Sequence, residues 1–412
     1  MTTKAQRRKA LKTLPMDLEN TFEGVIGRIQ QLPTSQAQLG MRVLMWLHLA
    51  YRPLKLNELQ HALAVDTTNI GIGTLEVENE FNTDNIPTPQ ILLYCCLGLV
   101  VIDEKIGTVR FVHYTLEEYF RVRQRSEKHF PNGCSIAAQT CLTYLNFGKL
   151  SKPGTWGGLM RTIKEFDFFN YAGVYWGDYV RHQRSDVVTA LAIKLLENGN
   201  KYYSCAIAEV IGIVYVPWYG FGGSWPLISG ALAAAHFGLA EQTEYYAKKG
   251  EVGVSFTGKT PLGLAARNGH EAVVRWLLER QDVDVNAGQP LAWAAGNGHE
   301  AVVRLLLERQ DVDVNAGEPL AVAATYGHGG VVQLLLERPD VDVNAGEPLA
   351  WAAALGQEAV VGLLLERPGV DTNAKGELGD TALDIAIARG RGHDSIVQML
   401  RAYGATPSVA KN

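Results

Sequence analysis

Residues 290–299 read Pro-Leu-Ala-Trp-Ala-Ala-Gly-Asn-Gly-His, and the same phrase opens, with small changes, at Pro261, Pro319 and Pro348. Each copy runs on through a Val-Val pair and a Leu-Leu-Glu-Arg run to Val-Asp-Val-Asn or Val-Asp-Thr-Asn. Successive prolines are 29 residues apart in all three intervals. A fixed period of this size means stacked supersecondary units, none of which can bury its apolar face alone.

The physics of one unit can be read from its residues. Proline suits the first turn of a helix, where its missing N–H would have had no intrahelical partner. Ala294 and Ala295 allow close helix approach, and Gly298 supplies the positive φ that ends a helix of about two turns. In the second helix Glu300 and Arg304 form an i,i+4 pair, while Val303, Leu306 and Leu307 recur at helical spacing. One face is core and one is wet.

These landmarks resemble the ankyrin repeat, whose T-P-L-H-x-A-A, G-H, V-V, L-L and D-V-N-A positions recur here. Two departures stand out. The loop after the second helix, as in Glu279-Arg-Gln-Asp-Val-Asp-Val-Asn286, is one residue longer than the usual form. The hairpin between units is cut short, so the projecting fingers of such an array are expected to be stunted between units two and five. The last interval, from Pro348 to Ala382, keeps the full hairpin. Ala231 to Gly250 reads as a degenerate first unit and Ala382 to Tyr403 as the last. Both carry polar faces suited to capping a stack, giving about six units. In the family, the position held by Trp293 and Trp351 faces the core, and the histidines His270, His299, His328 and His393 are structural. As metal ligands those histidines would stand about 10 Å apart, one helix spacing, beyond what one ion bridges.

The chain has 412 residues, 47% hydrophobic and 20% charged, which is ordinary for two or three globular domains. A net charge of −5 argues against general affinity for nucleic acid or acidic membranes. The five cysteines, Cys95, Cys96, Cys134, Cys141 and Cys205, lack Cys-x-x-Cys pairing and read as reduced thiols of a cytoplasmic protein. The N-terminus is basic but no signal-like apolar core follows it. The longest apolar run, Ile91 to Ile102, is 12 residues, well short of the roughly 20 needed to span a bilayer. No membrane association is expected.

Ahead of the repeats, Leu18, Phe22, Ile26 and Ile29 predict an amphipathic helix running to about Gln31. Gln36 to Tyr51 reads as a buried helix, Leu56 to Val65 as a short amphipathic one, and Thr67 to Thr88 as a loop. Ile91 to Leu97 reads as a further buried helix. It is followed by a β-hairpin, Leu99–Asp103 with Thr108–His113, and by a helix that Thr115 and Glu118 would cap as a box. Helices followed by a hairpin outline a winged helix. Residues 36–125 hold 8 Lys/Arg against 10 Asp/Glu, and the helix in the recognition position has no donor for a phosphate or base edge, so DNA reading is not expected.

The run Ala10-Leu-Lys-Thr-Leu-Pro15, this outline and above all Phe111-Val-His-Tyr-Thr-Leu-Glu-Glu-Tyr-Phe120 resemble the region downstream of the nucleotide-binding domain in fungal NACHT-ankyrin proteins. These belong to the STAND class of signalling NTPases, related to NOD-like receptors. The resemblance implies that His113 matches the histidine that contacts the β-phosphate of bound ADP in that class. Such a role needs a nucleotide-binding domain that this sequence does not contain, and the plainer reading has His113 ending a strand and capping a helix. Residues 136–147 and 168–178 resemble the helical connector of the same proteins. Their aromatic residues, Phe166, Phe168, Phe169, Tyr171, Tyr175, Trp176 and Tyr179, lack interleaved cations and read as core. Val187–Asn198 and Tyr203–Ile213 read as helices, and Pro217–Pro226 as a loop entering the array.

One phosphate-loop pattern appears, Gly253-Val-Ser-Phe-Thr-Gly258-Lys259-Thr260. A working loop needs a buried strand before it and an acidic magnesium partner. Here Lys259-Thr260 is the start of the Thr-Pro-Leu repeat phrase, and the repeat register accounts for both residues. Gly71-Ile-Gly73 and Gly222-Gly-Ser224 also fall short of their motifs.

The expected architecture is therefore mainly α: an N-terminal amphipathic helix (1–35), a winged-helix domain (36–130), a helical connector (131–225), an ankyrin solenoid (226–405) and a disordered tail (406–412). The expected role is non-enzymatic protein binding, in a NOD-like signalling, incompatibility or defence setting, without cofactor or metal. Contacts are expected at the ends of the first helices: Arg267, Asn268, Asn297, Thr325, Tyr326, Leu355 and Arg389. The alternative is the regulatory half of a nucleotide-switched receptor, split or truncated at Met1. In it His113 would act against a separate nucleotide-binding domain, met through the winged helix.

Overall fold

In the computed structural model the apolar spacing of the first segment becomes helix α1, Met16–Gln30, which buries Phe22, Val25, Ile26 and Ile29. The structure describes residues 16–67, 81–147, 165–181, 185–197, 229–250, 259–376, 379–390 and 392–408. The expected helix at Tyr203–Ile213 and the entry loop at Pro217–Pro226 lie outside these. Two compact units emerge, Met1–Leu227 and Ile228–Asn412.

In the first unit α2 (Thr34–Leu49) is the central helix, with Val43, Leu44, Met45 and Trp46 buried. α3 (Leu56–Ala64) is closed at both ends by side chains. Glu58 accepts the Lys55 N–H and pairs with Arg52, and the Arg42 guanidinium donates to the carbonyls of Ala62, Leu63 and Val65. α4 (Pro89–Cys95) leads to β1 (Val100–Asp103) and β2 (Thr108–Phe111), an antiparallel pair with Val100 opposite Phe111 and Asp103 opposite Thr108. The chain before α3 joins this sheet, since Leu56 N–H donates to Gly107 and Val109 N–H to Leu54. α5 (Tyr114–Arg121) and α6 (Arg123–His129) follow.

Two expectations are corrected here. α4 is not buried all round: Leu92 and Cys95 are, while Leu93 and Tyr94 face outward, because a seven-residue helix beside a sheet can hide only one side. The cap of α5 is His113, whose Nδ1 accepts from Thr115 N–H at 3.3 Å, whereas Thr115 is buried and Glu118 pairs with Arg121.

The connector helices α7 (Gly133–Leu145), α8 (Phe169–Arg181) and α9 (Asp186–Glu197) share this core. Trp46 meets the edges or faces of Phe168, Tyr171 and Tyr179 at 5.5 to 6.1 Å between ring centres, the geometry aromatic quadrupoles favour. Tyr179 Oη donates to the Leu49 carbonyl and Tyr171 Oη accepts from Tyr51 N–H, so the connector's phenols close the C-terminus of α2. Six of the seven expected aromatics are buried and Tyr175 is half-buried, the arrangement of a core.

The described residues of the second unit form six helix pairs: α10/α11 (Gly230–Phe237, Ala240–Lys248), α12/α13 (Pro261–Arg267, Glu271–Leu278), α14/α15 (Pro290–Gly296, Glu300–Leu307), α16/α17 (Pro319–Tyr326, Gly329–Leu336), α18/α19 (Pro348–Ala354, Glu358–Leu365) and α20/α21 (Ala382–Arg389, Asp394–Ala402). Three devices repeat. The first is an asparagine clamp: Asn315 Nδ2 donates to the Asp340 carbonyl and its Oδ1 accepts from Asp342 N–H, and Asn286, Asn344 and Asn373 do the same one unit away. The second is a histidine rung, in which Nε2 of His270, His299 and His328 meets the carbonyl of His236, Arg267 and Gly296 respectively. Gln357 replaces it once, bonding to Thr325.

The third is the shortened turn. Gly288, Gly317 and Gly346 have φ near +74°, and the next residue, Gln289, Glu318 or Glu347, also has positive φ, between 54° and 58°. Two left-handed residues in succession reverse the chain directly into the proline of the following helix. The full hairpin survives between the last two units, where Lys375 bridges Thr381. The tail expected to be disordered is held at its start: Thr406 bonds to Asn373, and Ser408 N–H donates to the Asp384 carboxylate, because the last clamp asparagine needs a backbone partner.

Asn315→Ala removes two hydrogen bonds to backbone that water can partly reach, so it should lower stability by about 1–2 kcal/mol. Urea unfolding of the full chain measures this, and an unchanged midpoint would refute the clamp.

Candidate functional site

Along the array the first helices stack side by side, and the side chains they turn outward form one continuous face. Trp293, Tyr326, Trp351, Leu355 and Ile387 are 39%, 64%, 51%, 49% and 45% exposed. Isolated apolar residues on a surface mean little, but Trp293, Tyr326, Trp351 and Leu355 occupy two positions four residues apart in three successive repeats and so share one side of the array, whereas Ile387 stands in the column of the buried Ala266, Ala295, Ala324 and Ala353. The two tryptophans correct the expectation that their position faces the core. Leu264, in the same column, is buried, and Val322 is half-buried, so the exposure of this column differs from repeat to repeat.

The expected contact residues divide into two groups. Tyr326, Leu355 and Arg389 are exposed, with Tyr326 leaning toward Gly296, where a Cβ would stand 2.6 Å from Val322 Cγ1 and 4.0 Å from the Tyr326 ring. Asn268, Asn297 and Thr325 are engaged within the fold. Asn268 Nδ2 bonds to His236, Asn297 Nδ2 to the Trp293 carbonyl at 2.8 Å, and Thr325 Oγ1 to the Ala321 carbonyl at 2.7 Å. Arg267 is half-buried and lies over the Trp293 ring, 4.9 Å from its centre. The exposed tryptophans lie one turn before the expected row at the helix ends.

Lys259 and Thr260, the described end of the phosphate-loop pattern, belong to the repeat; residues 253–258 lie outside the described ones. Thr260 caps α12, accepting from Gly263 N–H at 2.9 Å and donating to the Ala287 carbonyl at 3.0 Å. Its hydroxyl is committed at both ends, and Lys259 Nζ stands 6.0 Å from the Trp293 ring centre. Burial, with the charge of Arg267 behind it, lowers the Lys259 ammonium from its ordinary value.

His113, in the first unit, is exposed. A backbone N–H can only donate, so Nδ1 is the acceptor in the cap and the neutral ring carries its proton on Nε2. Cys96 and Cys141 are buried, and burial pushes both thiols up, Cys96 to about 12. Among the described residues, no group of three or more His, Cys, Asp or Glu side chains is placed to hold a metal ion, and no helix is long and apolar enough to cross a membrane.

Two family models match the chain. Residues 231–318 and 320–411 match ankyrin repeats, a model of three copies, and residues 29–130 match the GPI inositol-deacylase winged helix domain. The chain thus carries a winged-helix domain followed by ankyrin repeats, an interaction fold. Among individual proteins it is similar to Azaphilone pigments biosynthesis cluster protein L of Monascus ruber, with 30% identity over 182 residues. That match covers 40% of this chain and 35% of the relative, so the chain spans about a third of the protein it resembles.

If Lys259 serves the repeat alone, Lys259→Ala leaves the affinity for Mg-ATP unchanged in isothermal titration. A loss of measurable binding would restore the phosphate-loop reading.

Proposed function

We propose that this chain is a non-enzymatic interaction protein whose ankyrin array grips a protein partner along the first-helix face, in a cytoplasmic, fungal NOD-like signalling or defence setting. On this reading the chain divides into an N-terminal segment (1–35), a winged helix (36–130), a connector (131–225) and an array (226–405). The observation that carries the reading is the set of large exposed apolar side chains, Trp293, Tyr326, Trp351 and Leu355, on one side of three successive repeats. Rigid aromatic anchors of this kind supply much of the binding energy in protein interfaces while losing little rotamer entropy. Arg267, Tyr326, Leu355 and Arg389 are the contact residues. Asn268, Asn297 and Thr325 contribute by shaping the helix ends. In the double variant Tyr326→Ala with Leu355→Ala, capture of the partner should fall by about tenfold or more while the melting temperature holds, since exposed side chains add little to the fold. Undiminished capture would remove this surface.

A second reading rests on the exposed Nε2–H of His113, held outward because Nδ1 is used in the cap. In this reading the winged helix meets a separate nucleotide-binding domain and His113 donates to the β-phosphate of its ADP, a charge-assisted bond that would hold a closed state. His113→Ala should weaken association with an ADP-loaded nucleotide-binding domain by about tenfold, measured by interferometry. Equal association would eliminate the switch.

A further inference from the structure

Each helix of the array's pairs carries a column that is fully buried in every described pair but the last. On the first helices it is Ala235, Ala266, Ala295, Ala324 and Ala353, and on the second helices Thr243, Val274, Val303, Val332 and Val361. A column that is already closed in the first pair and opens only in the last is one that the following pair covers. In α20/α21 the same two positions hold Ile387, which is 45% exposed, and Val397, which is half-buried.

A terminal unit keeps a stack soluble by turning a polar face outward. Arg401 does so, standing exposed in the column where Leu278, Leu336 and Leu365 are buried, but Ile387 and Val397 stay apolar. Ile387 is also larger than the alanine through which the preceding pairs approach one another. A helix laid on this end must therefore stand further off than the helices within the stack.

Along α21, Asp394, Val397 and Arg401 are spaced i, i+3 and i+7 and share one stripe. Asp394 and Arg401 are exposed, an anion at the start of the stripe and a cation at its end, and the midpoint between them falls beside Val397. Such a stripe complements itself when reversed. Laid antiparallel on a second copy, each Asp394 meets Arg401 of the other, and the two Val397 side chains meet near the centre.

We propose that this end face of the array, formed by Ile387, Asp394, Val397 and Arg401, docks a second copy of the chain about a two-fold axis. An isologous contact uses one patch on both subunits, so the patch has to complement itself. The axis that lays α21 on its copy also lays α20 on its copy, and Ile387 is covered in the same step. A parallel arrangement would set Asp394 against Asp394 and Arg401 against Arg401, so charge fixes the direction. The inference does not rest on the protein-binding reading above and uses other side chains.

Sedimentation velocity of the full chain between about 1 and 100 μM tests it, a range suited to the weak association of a small interface. The chain is expected to dimerise within this range, and Ile387→Lys should stay monomeric. Arg401→Asp and Asp394→Arg should each weaken self-association by about tenfold or more. Mixed in equal amounts, these two variants regenerate both charge pairs and should form a heterodimer, which misfolded variants would not do. A monomer at every concentration, or a dimer indifferent to these substitutions, would overturn the inference. So would a mixture that remains monomeric, or assemblies larger than a dimer, which mark a head-to-tail contact.

Discussion

The clamp made by Asn286, Asn315, Asn344 and Asn373 is the constraint on which the array depends. Each amide spends its donor on one backbone carbonyl of the next unit and its acceptor on a backbone N–H two residues further on. A side chain that both donates and accepts across the same step fixes spacing and rotation together, which an apolar contact cannot do. Hydrophobic burial supplies the driving force, through the Val-Val and Leu-Leu positions that form one continuous core. The clamp and the histidine rungs decide the register in which that burial occurs.

With register held there, the turn that begins two residues after each clamp asparagine can lose its hairpin. The replacement turn places a non-glycine residue in the left-handed region immediately before proline, a combination that costs about 1–3 kcal/mol because the preceding residue is pushed away from compact conformations. That cost recurs three times. It is offset by the buried proline at the first position of the next helix and by the packing of that helix on both neighbours. Where the full hairpin returns, Thr381 has an extended backbone and caps α20 in the ordinary way, with Asp384 completing the box.

The period, the helix pairs, the shortened turns and the winged-helix outline were legible because each depends on local pattern: spacing of prolines, alanine pairs and glycines, or alternation into a hairpin. What was not legible depends on packing and on competition between partners. Trp293 and Leu264 share a column, and one is exposed while the other is buried. His113 as the cap of α5 was read from the sequence, but so was its rival, the Thr115–Glu118 box, and the chain leaving β2 decides between them by bringing His113 in an extended conformation to the helix start. Asn268 and Asn297 stood at surface positions by register, yet the carbonyls exposed at each helix end claim their amides first. Hydrogen bonds to nearby backbone take up part of the polar capacity of such residues.

The same competition governs the first unit. A winged helix that reads nucleic acid must keep its cations available, and here Arg42 is folded onto the end of α3 while Arg52 is paired with the buried carboxylate of Glu58. Glu23 shows the converse. Burial alone would raise its carboxyl, but hydrogen bonds from Tyr119 and Lys128 and the charge of His129 outweigh it and hold the group at about 2, tying α1 to α5 and α6. Charge in this unit is spent on joining helices. In the array the Arg280–Asp282, Arg309–Asp311 and Arg338–Asp340 pairs are likewise closed on themselves along the loop edge.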